Sequence, residues 1–161
     1  MKSKLATTTL LRALVALFCL NLAAVAQSQV HSRCSNATVA GKWGHTVNGS
    51  LIGIGPIAAT GISTFDGKGN LTGSQTRSVN GDVAEETFQG KYSVNADCTM
   101  NEVIQVYQSG QLVRTSSVLV VIEENGHSGT GIFTKIELPD GTVLPSVLTL
   151  DGKRLFPRDE D

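Results

Sequence analysis

From residue 41 onward the chain is cut at short intervals by turn signals, and the segments between them alternate in polarity rather than repeating every three or four residues. The signals are Asp66-Gly67-Lys68-Gly69-Asn70, Asn80-Gly81-Asp82, Asn95-Ala96-Asp97, Ser109-Gly110, Glu124-Asn125-Gly126, Pro139-Asp140-Gly141 and Asp151-Gly152. Each supplies residues that tolerate positive φ or preset a turn. No stretch between Gly41 and Leu150 carries the 3.6-residue period of an amphipathic helix. Seven turns imply about eight strands, expected at Lys42 to Asn48, Ile57 to Phe65, Leu71 to Val79, Glu85 to Val94, Thr99 to Gln108, Leu112 to Ile122, Thr130 to Leu138 and Thr142 to Leu150. The clearest runs from Thr87 to Val94. Phe88, Gly90, Tyr92 and Val94 share one face there, and Thr87, Gln89, Lys91 and Ser93 the other.

Eight sequential antiparallel strands can stack as a two-sheet sandwich or close on themselves. The connections are short, whereas sandwiches usually need longer Greek-key crossings, so an all-β, eight-stranded, up-and-down barrel is expected. Closure also removes free edges, on which the apolar run Val118 to Ile122 would be an aggregation hazard.

Ahead of the barrel, Lys2, Lys4 and Arg12 form a basic front. Ala13 to Leu22 is apolar but too short to span a bilayer as a helix, and Ala24-Val25-Ala26 is a small-x-small cleavage site. Residues 1–26 therefore read as a secretory signal peptide, 27–40 as an N-terminal segment, 41–156 as the barrel and 157–161 as an acidic tail. Secretion or delivery to a bacterial periplasm follows, with no membrane anchor. The mature chain carries ten basic and fourteen acidic residues, a balance that gives no electrostatic attraction for nucleic acid or an anionic membrane. Cys19 leaves with the signal, and its neighbour Phe18 is not the small residue that a lipoprotein signal requires. Cys34 and Cys98 remain, an even pair in an exported chain, and are expected to form one disulfide.

Gly41-Lys42-Trp43, a G-x-W triplet opening the first strand of a disulfide-containing meander, resembles the calycin group of lipocalins, avidins and their bacterial relatives. The resemblance implies a lipocalin-like barrel in which Trp43 closes the floor and a late basic residue, Lys153 or Arg154, packs over it. Cys34-Ser35 followed by Gly41-Lys42-Trp43 is similar to the opening of avidins. Those line their biotin pocket with several tryptophans, and Trp43 is the only one here, so biotin binding is not implied. The F-D-G-x-G-N turn at Phe65 to Asn70 and the G-x-Y-x-V-x-x-D-C-T segment at Gly90 to Thr99 resemble small exported bacterial proteins, and this likeness brings no activity with it.

Catalytic motifs are incomplete. Gly126-His127-Ser128-Gly129-Thr130 departs from a nucleophile elbow at its fifth residue, with no helix following. Lys68 sits where a calcium loop needs an acid. His31, His45 and His127 are dispersed without metal-ligand spacing, so no metal or cofactor is expected. Gly53-Ile54-Gly55 lacks the spacing and the helix of a nucleotide loop. Glu85-Glu86 and Glu123-Glu124 are adjacent and face opposite sides of a strand, which does not support paired-carboxylate chemistry. The sequons at Asn36, Asn48 and Asn70 matter only on a eukaryotic secretory route.

Polar residues on inward faces are the remaining anomaly. If Trp43 points inward, so does His45, and Gln75 and Arg77 share a face with Leu71 and Val79. Tyr92 and Glu102 fall on the apolar faces of their strands. Buried polar groups pair with one another or line a ligand-accessible cavity, so His45, Gln75, Arg77, Tyr92 and Glu102 are the expected ligand-binding set, with Arg77 paired either to Glu102 or to a ligand carboxylate. The leading functional expectation is an exported, non-enzymatic barrel holding a small apolar ligand. The alternatives are a protein-interaction module or inhibitor acting through loops such as Ile52 to Pro56 or Asn125 to Gly129, and a calycin-type isomerase or cyclase with Glu102, Tyr92 or His45 as its only acid or base.

Overall fold

Asn80 and Gly81 both lie at positive φ, 49° and 90°, and Ser109-Gly110 does the same at 51° and 80°. Two consecutive left-handed residues make the turn whose twist matches a pair of antiparallel strands. The computed structural model describes residues 34–156. It contains β1 (Gly41–Leu51), β2 (Gly55–Phe65), β3 (Asn70–Val79), β4 (Asp82–Val94), β5 (Thr99–Gln108), β6 (Gln111–Glu123), β7 (Ser128–Glu137) and β8 (Ser146–Arg154). Each strand pairs with the next, and β8 returns to β1, giving a closed eight-stranded, antiparallel, up-and-down barrel. This is the eight-stranded, up-and-down barrel expected from the turn spacing. The expected signal peptide and the acidic tail lie outside the described residues.

Two places depart from the expected strands. Thr142 to Leu144 does not start the last strand: residues 138–145 form a loop between β7 and β8, in which a single bridge joins Val143 to Glu137. Asp151-Gly152 does not end it either. Gly152 pairs with His45 on one side and Gly129 on the other, and a Cβ there would lie in ordinary contact with Trp43 Cε3 at 3.6 Å. Gly152 is a paired residue inside a continuing strand, which the sequence does not distinguish from a turn.

Alternation along each strand sends one face inward. The Phe88 ring lies over Gly73, its partner on the adjacent strand, where a Cβ would sit 2.3 Å from the ring. The core forms two clusters. One, around Trp43, Phe65, Leu71, Tyr92, Met100 and Val120, fills the end at which β1 starts. The other, around Val47, Leu51, Ile57, Ile136 and Leu148, lies towards the opposite end. We call these ends the floor and the mouth.

The chain ahead of β1 seals the floor. Asn36–Val39 forms a single 3₁₀ turn, and Cys34 is disulfide-bonded to Cys98 in the β4–β5 turn, 64 residues away. Asn36 Oδ1 accepts a hydrogen bond from Val94 N at 2.8 Å, and Trp43 Nε1 donates to Val39 O at 2.8 Å. The plug is thereby tied covalently to one hairpin and by hydrogen bonds to two strands. Among the described residues, no helix is long and apolar enough to cross a membrane.

Candidate functional site

Of the two basic residues proposed to cover Trp43, Arg154 does so. Its guanidinium lies 5.0 Å from the indole centroid, a cation–π distance. It donates to Thr38 O at 2.8 Å, to Gly126 O at 3.1 Å and to Ala40 O. Arg154 thus satisfies carbonyls of the plug and of the β6–β7 turn, which a strand ending at Leu150 would leave without this donor.

Above this floor is a cavity of about 560 Å³ running to the mouth. Apolar side chains from both clusters form most of its wall, with Phe88, Ile104, Val106 and Phe133 at mid-height. Leu138 and Leu144 reach into it from the 138–145 loop, and Ile54 from the β1–β2 turn. The Leu144 amide bonds back to Ile136 O at 2.9 Å, fixing the loop against β7.

The polar inward residues separate into a satisfied chain and an unsatisfied pair. The chain starts at Ser63 Oγ, 3.1 Å from His45 Nδ1, and continues from His45 Nε2 to Gln75 Oε1 at 3.1 Å. Gln75 Nε2 then donates to Glu86 Oε2 at 2.8 Å. A carboxylate only accepts, so the Gln75 amide nitrogen faces it and the amide oxygen faces His45. His45 must then carry its proton on Nε2 and accept the Ser63 hydroxyl at Nδ1. Burial also lowers its pKa from the ordinary 6.5, only partly offset by the Gln75 hydrogen bond, which holds the imidazole neutral.

Glu86 ends the chain. Oε1 accepts from Arg77 Nε at 2.8 Å and Arg114 Nη1 at 2.6 Å, and Oε2 accepts from Arg114 Nη2 at 2.7 Å as well as from Gln75. Burial opposes its ionisation, but the hydrogen bonds and charge of Arg114, with Gln75 and Arg77, prevail and hold the carboxyl below 4.5. Arg77 spends its other nitrogens on Asp82 O at 3.4 Å, Asp82 Oδ2 at 3.5 Å and Gln108 Oε1 at 3.4 Å.

The expected pairing of Arg77 with Glu102 is therefore corrected: the partner is Glu86, because β3 and β4 are neighbours and bring Ala84 and Glu86 beside Arg77 and Gln75. Tyr92 also sits elsewhere than in the ligand-facing set. It packs edge-on to Phe65 with centroids 5.0 Å apart, and its hydroxyl donates to Asn36 O at 3.2 Å. It belongs to the floor and does not line the cavity, which His45, Gln75, Arg77 and Glu102 do.

Glu102 is left alone. It is 5% exposed, faces the cavity, and pairs across its strands with Tyr92 and Val118. None of the described residues hydrogen-bonds to it or forms an ion pair with it. Burial without a compensating charge pushes its pKa up to about 7. On the next strand Ser116, 1% exposed, also faces the cavity, and its Oγ has no hydrogen-bond partner.

Sequence reasoning missed Glu86, Arg114 and Ser116. Parity was the available signal: Glu86 is two residues from Phe88, and Arg114 and Ser116 keep step with Val118 and Val120. Among the described residues, no group of three or more His, Cys, Asp and Glu is placed to hold a metal ion. The two loops considered as a protein-binding surface lie at opposite ends, the β1–β2 turn at the mouth and Asn125 at the floor.

No family model matches the sequence, and comparison with curated proteins gives no match. Among solved structures the chain is similar to an S-type phycobiliprotein lyase, CPES, from Guillardia theta, with 7% identity and a TM-score of 0.45 over 82% of this chain and 99% of that one.

Proposed function

We propose that this is an exported, non-enzymatic barrel protein that carries one small, mostly apolar molecule in its lumen. The observation that supports this reading is the cavity itself. Its volume of about 560 Å³ lies within the range of small-molecule sites, roughly 300 to 1,000 Å³, and it combines an apolar wall with few polar groups in the manner of such sites. The sealed floor and the mouth loops favour access from one end. Export rests on the basic front, apolar run and Ala24-Val25-Ala26 site, and the Cys34–Cys98 disulfide suits an oxidising compartment.

Native mass spectrometry tests the reading. The protein, as purified and after incubation with neutral apolar molecules, is expected to carry a one-to-one adduct that is lost on denaturation. Ala59 is buried and lines the cavity, so Ala59→Phe should keep the barrel and lose the adduct. Wild-type protein that takes up no molecule under these conditions would overturn the reading.

A second reading is favoured by the rim, where Ile52, Ile54, Val143 and Val147 are exposed apolar side chains. A secreted protein partner docking on the mouth would use these residues. Its binding would survive Ala59→Phe, which separates the two readings.

A further inference from the structure

Resting on the lumenal reading, we infer that Glu102 and Ser116 together form the head-group site of the lumen, and that it takes an uncharged hydroxyl on an otherwise apolar ligand. Glu102 on β5 faces Val118, and Ser116 on β6 faces Ile104. The two are thus diagonal neighbours on one inner face, roughly 7 Å apart at Cβ, a separation that one oxygen atom can bridge. Both line the cavity and both are more than nine-tenths buried. Ser116 Oγ has no hydrogen-bond partner among the described residues, and burial, with no hydrogen bond or charge beside it, is what acts on the Glu102 carboxyl. The other polar groups of the inner wall named above are committed: His45 to Ser63 and Gln75, and Glu86 to Gln75, Arg77 and Arg114. A buried polar group without a partner is costly, so a ligand that supplies both partners gains what the protein lacks.

The chemistry selects among head groups. A protonated Glu102 donates one hydrogen bond and accepts others, and the Ser116 hydroxyl does both. A ligand hydroxyl accepts the Glu102 proton and donates to Ser116 Oγ, giving each side chain a hydrogen-bond partner. A carboxylate head would face the Glu102 carboxyl and find the guanidiniums of Arg77 and Arg114 already bound to Glu86. An ammonium head would need Glu102 ionised in an apolar wall and would pass two guanidiniums that share one carboxylate. The desolvation of such a pair offsets most of its attraction.

Competition binding with 1-decanol, decane, decylammonium and decanoate, displacing a neutral fluorescent probe, tests this. Decane reports only the apolar wall and should bind wild type, Glu102→Leu, Glu102→Gln and Ser116→Ala alike, which also checks that each variant keeps its lumen. The ratio of decanol to decane affinity is expected to fall about tenfold in Glu102→Leu and severalfold in Ser116→Ala. It should be largely kept in Glu102→Gln, whose amide still donates and accepts. A ratio unchanged in Glu102→Leu would overturn the assignment, as would a decylammonium affinity that exceeds that of decanol and collapses in Glu102→Gln. Failure of decane itself to bind wild type would remove the lumenal reading, and this assignment with it.

Discussion

Arg114 grips Glu86 with both terminal nitrogens, Nη1 to Oε1 at 2.6 Å and Nη2 to Oε2 at 2.7 Å. With Arg77 and Gln75 added, both oxygens of the carboxylate accept two hydrogen bonds each. Three strands, β3, β4 and β6, therefore meet in one polar knot within an apolar barrel. The knot commits Arg77 Nε and both terminal nitrogens of Arg114 to Glu86, so these donors are not offered to a ligand.

Removing the acid from this knot should be severe. Glu86→Gln leaves two guanidiniums sharing an uncharged partner, and a loss of about 3 to 5 kcal/mol is expected, larger than that of Arg77→Met. The Glu86 carboxyl is held below 4.5, so its contribution is present above about pH 4.5 and lost as pH falls through the lower folded value. Urea unfolding at pH 7 and pH 3 checks both statements. Equal stability of wild type and Glu86→Gln at pH 7 would contradict the first.

Glu102 runs the other way. Its pKa rises from 4.5 to about 7 on folding, so the folded state holds a proton that the unfolded state has released. The stability this gives is full below about pH 4.5 and lost as pH rises through about 7, a change of about 3 kcal/mol. His45 has the opposite sign, since burial keeps it neutral and stability rises as pH approaches 6.5. The difference between wild type and Glu102→Gln isolates the acid: the variant should match wild type near pH 4 and exceed it by about 3 kcal/mol at pH 8. A difference that does not vary with pH would show that Glu102 is not proton-bearing in the folded protein.

The floor depends on a covalent tie and one cation. Cys34 and Cys98 are 64 positions apart in the sequence, so reduction, or Cys34→Ser with Cys98→Ser, should cost about 4 kcal/mol in the chain-entropy account. Arg154→Met removes the donor to Thr38, Ala40 and Gly126 carbonyls as well as the charge over Trp43. It should shift Trp43 emission to longer wavelength even where the fold survives. Thermal unfolding followed by Trp43 fluorescence reads both, and an unshifted emission in Arg154→Met would contradict the role given to the guanidinium.

Strand number and closure were legible because they rest on local chemistry. Asn80-Gly81 and Ser109-Gly110 act within two residues, and the alternation at Phe88 and Tyr92 acts within one strand. The bounds of β8 were not legible, because Gly152 is held in the strand by pairing with His45 and Gly129 on other strands rather than by its own neighbours. The site was half legible for the same reason. Parity placed His45, Gln75, Arg77 and Glu102 on inner faces, but partnership depends on which strands are adjacent and in what register. The Asn80-Gly81 turn sets the β3–β4 register, with Gln75 across from Glu86 and Arg77 across from Ala84, whereas Arg114 reaches Glu86 from β6, which is not a neighbour of β4. Tyr92 has the parity of a lumenal residue and the height of a floor residue, and height comes only from the closed barrel.

Trp43 is the single tryptophan of the chain and lines the lower end of the cavity, so it reports directly on whether a molecule occupies the lumen. Exciting Trp43 while titrating N-phenyl-1-naphthylamine, a neutral apolar acceptor, measures energy transfer over the length of the barrel interior. An open, ligand-accepting lumen gives saturable sensitised emission at one probe per protein, reversed by excess 1-decanol and absent in Ala59→Phe. Transfer that never saturates, or that persists unchanged in Ala59→Phe, would place the probe on the outer surface and contradict a lumenal binding site.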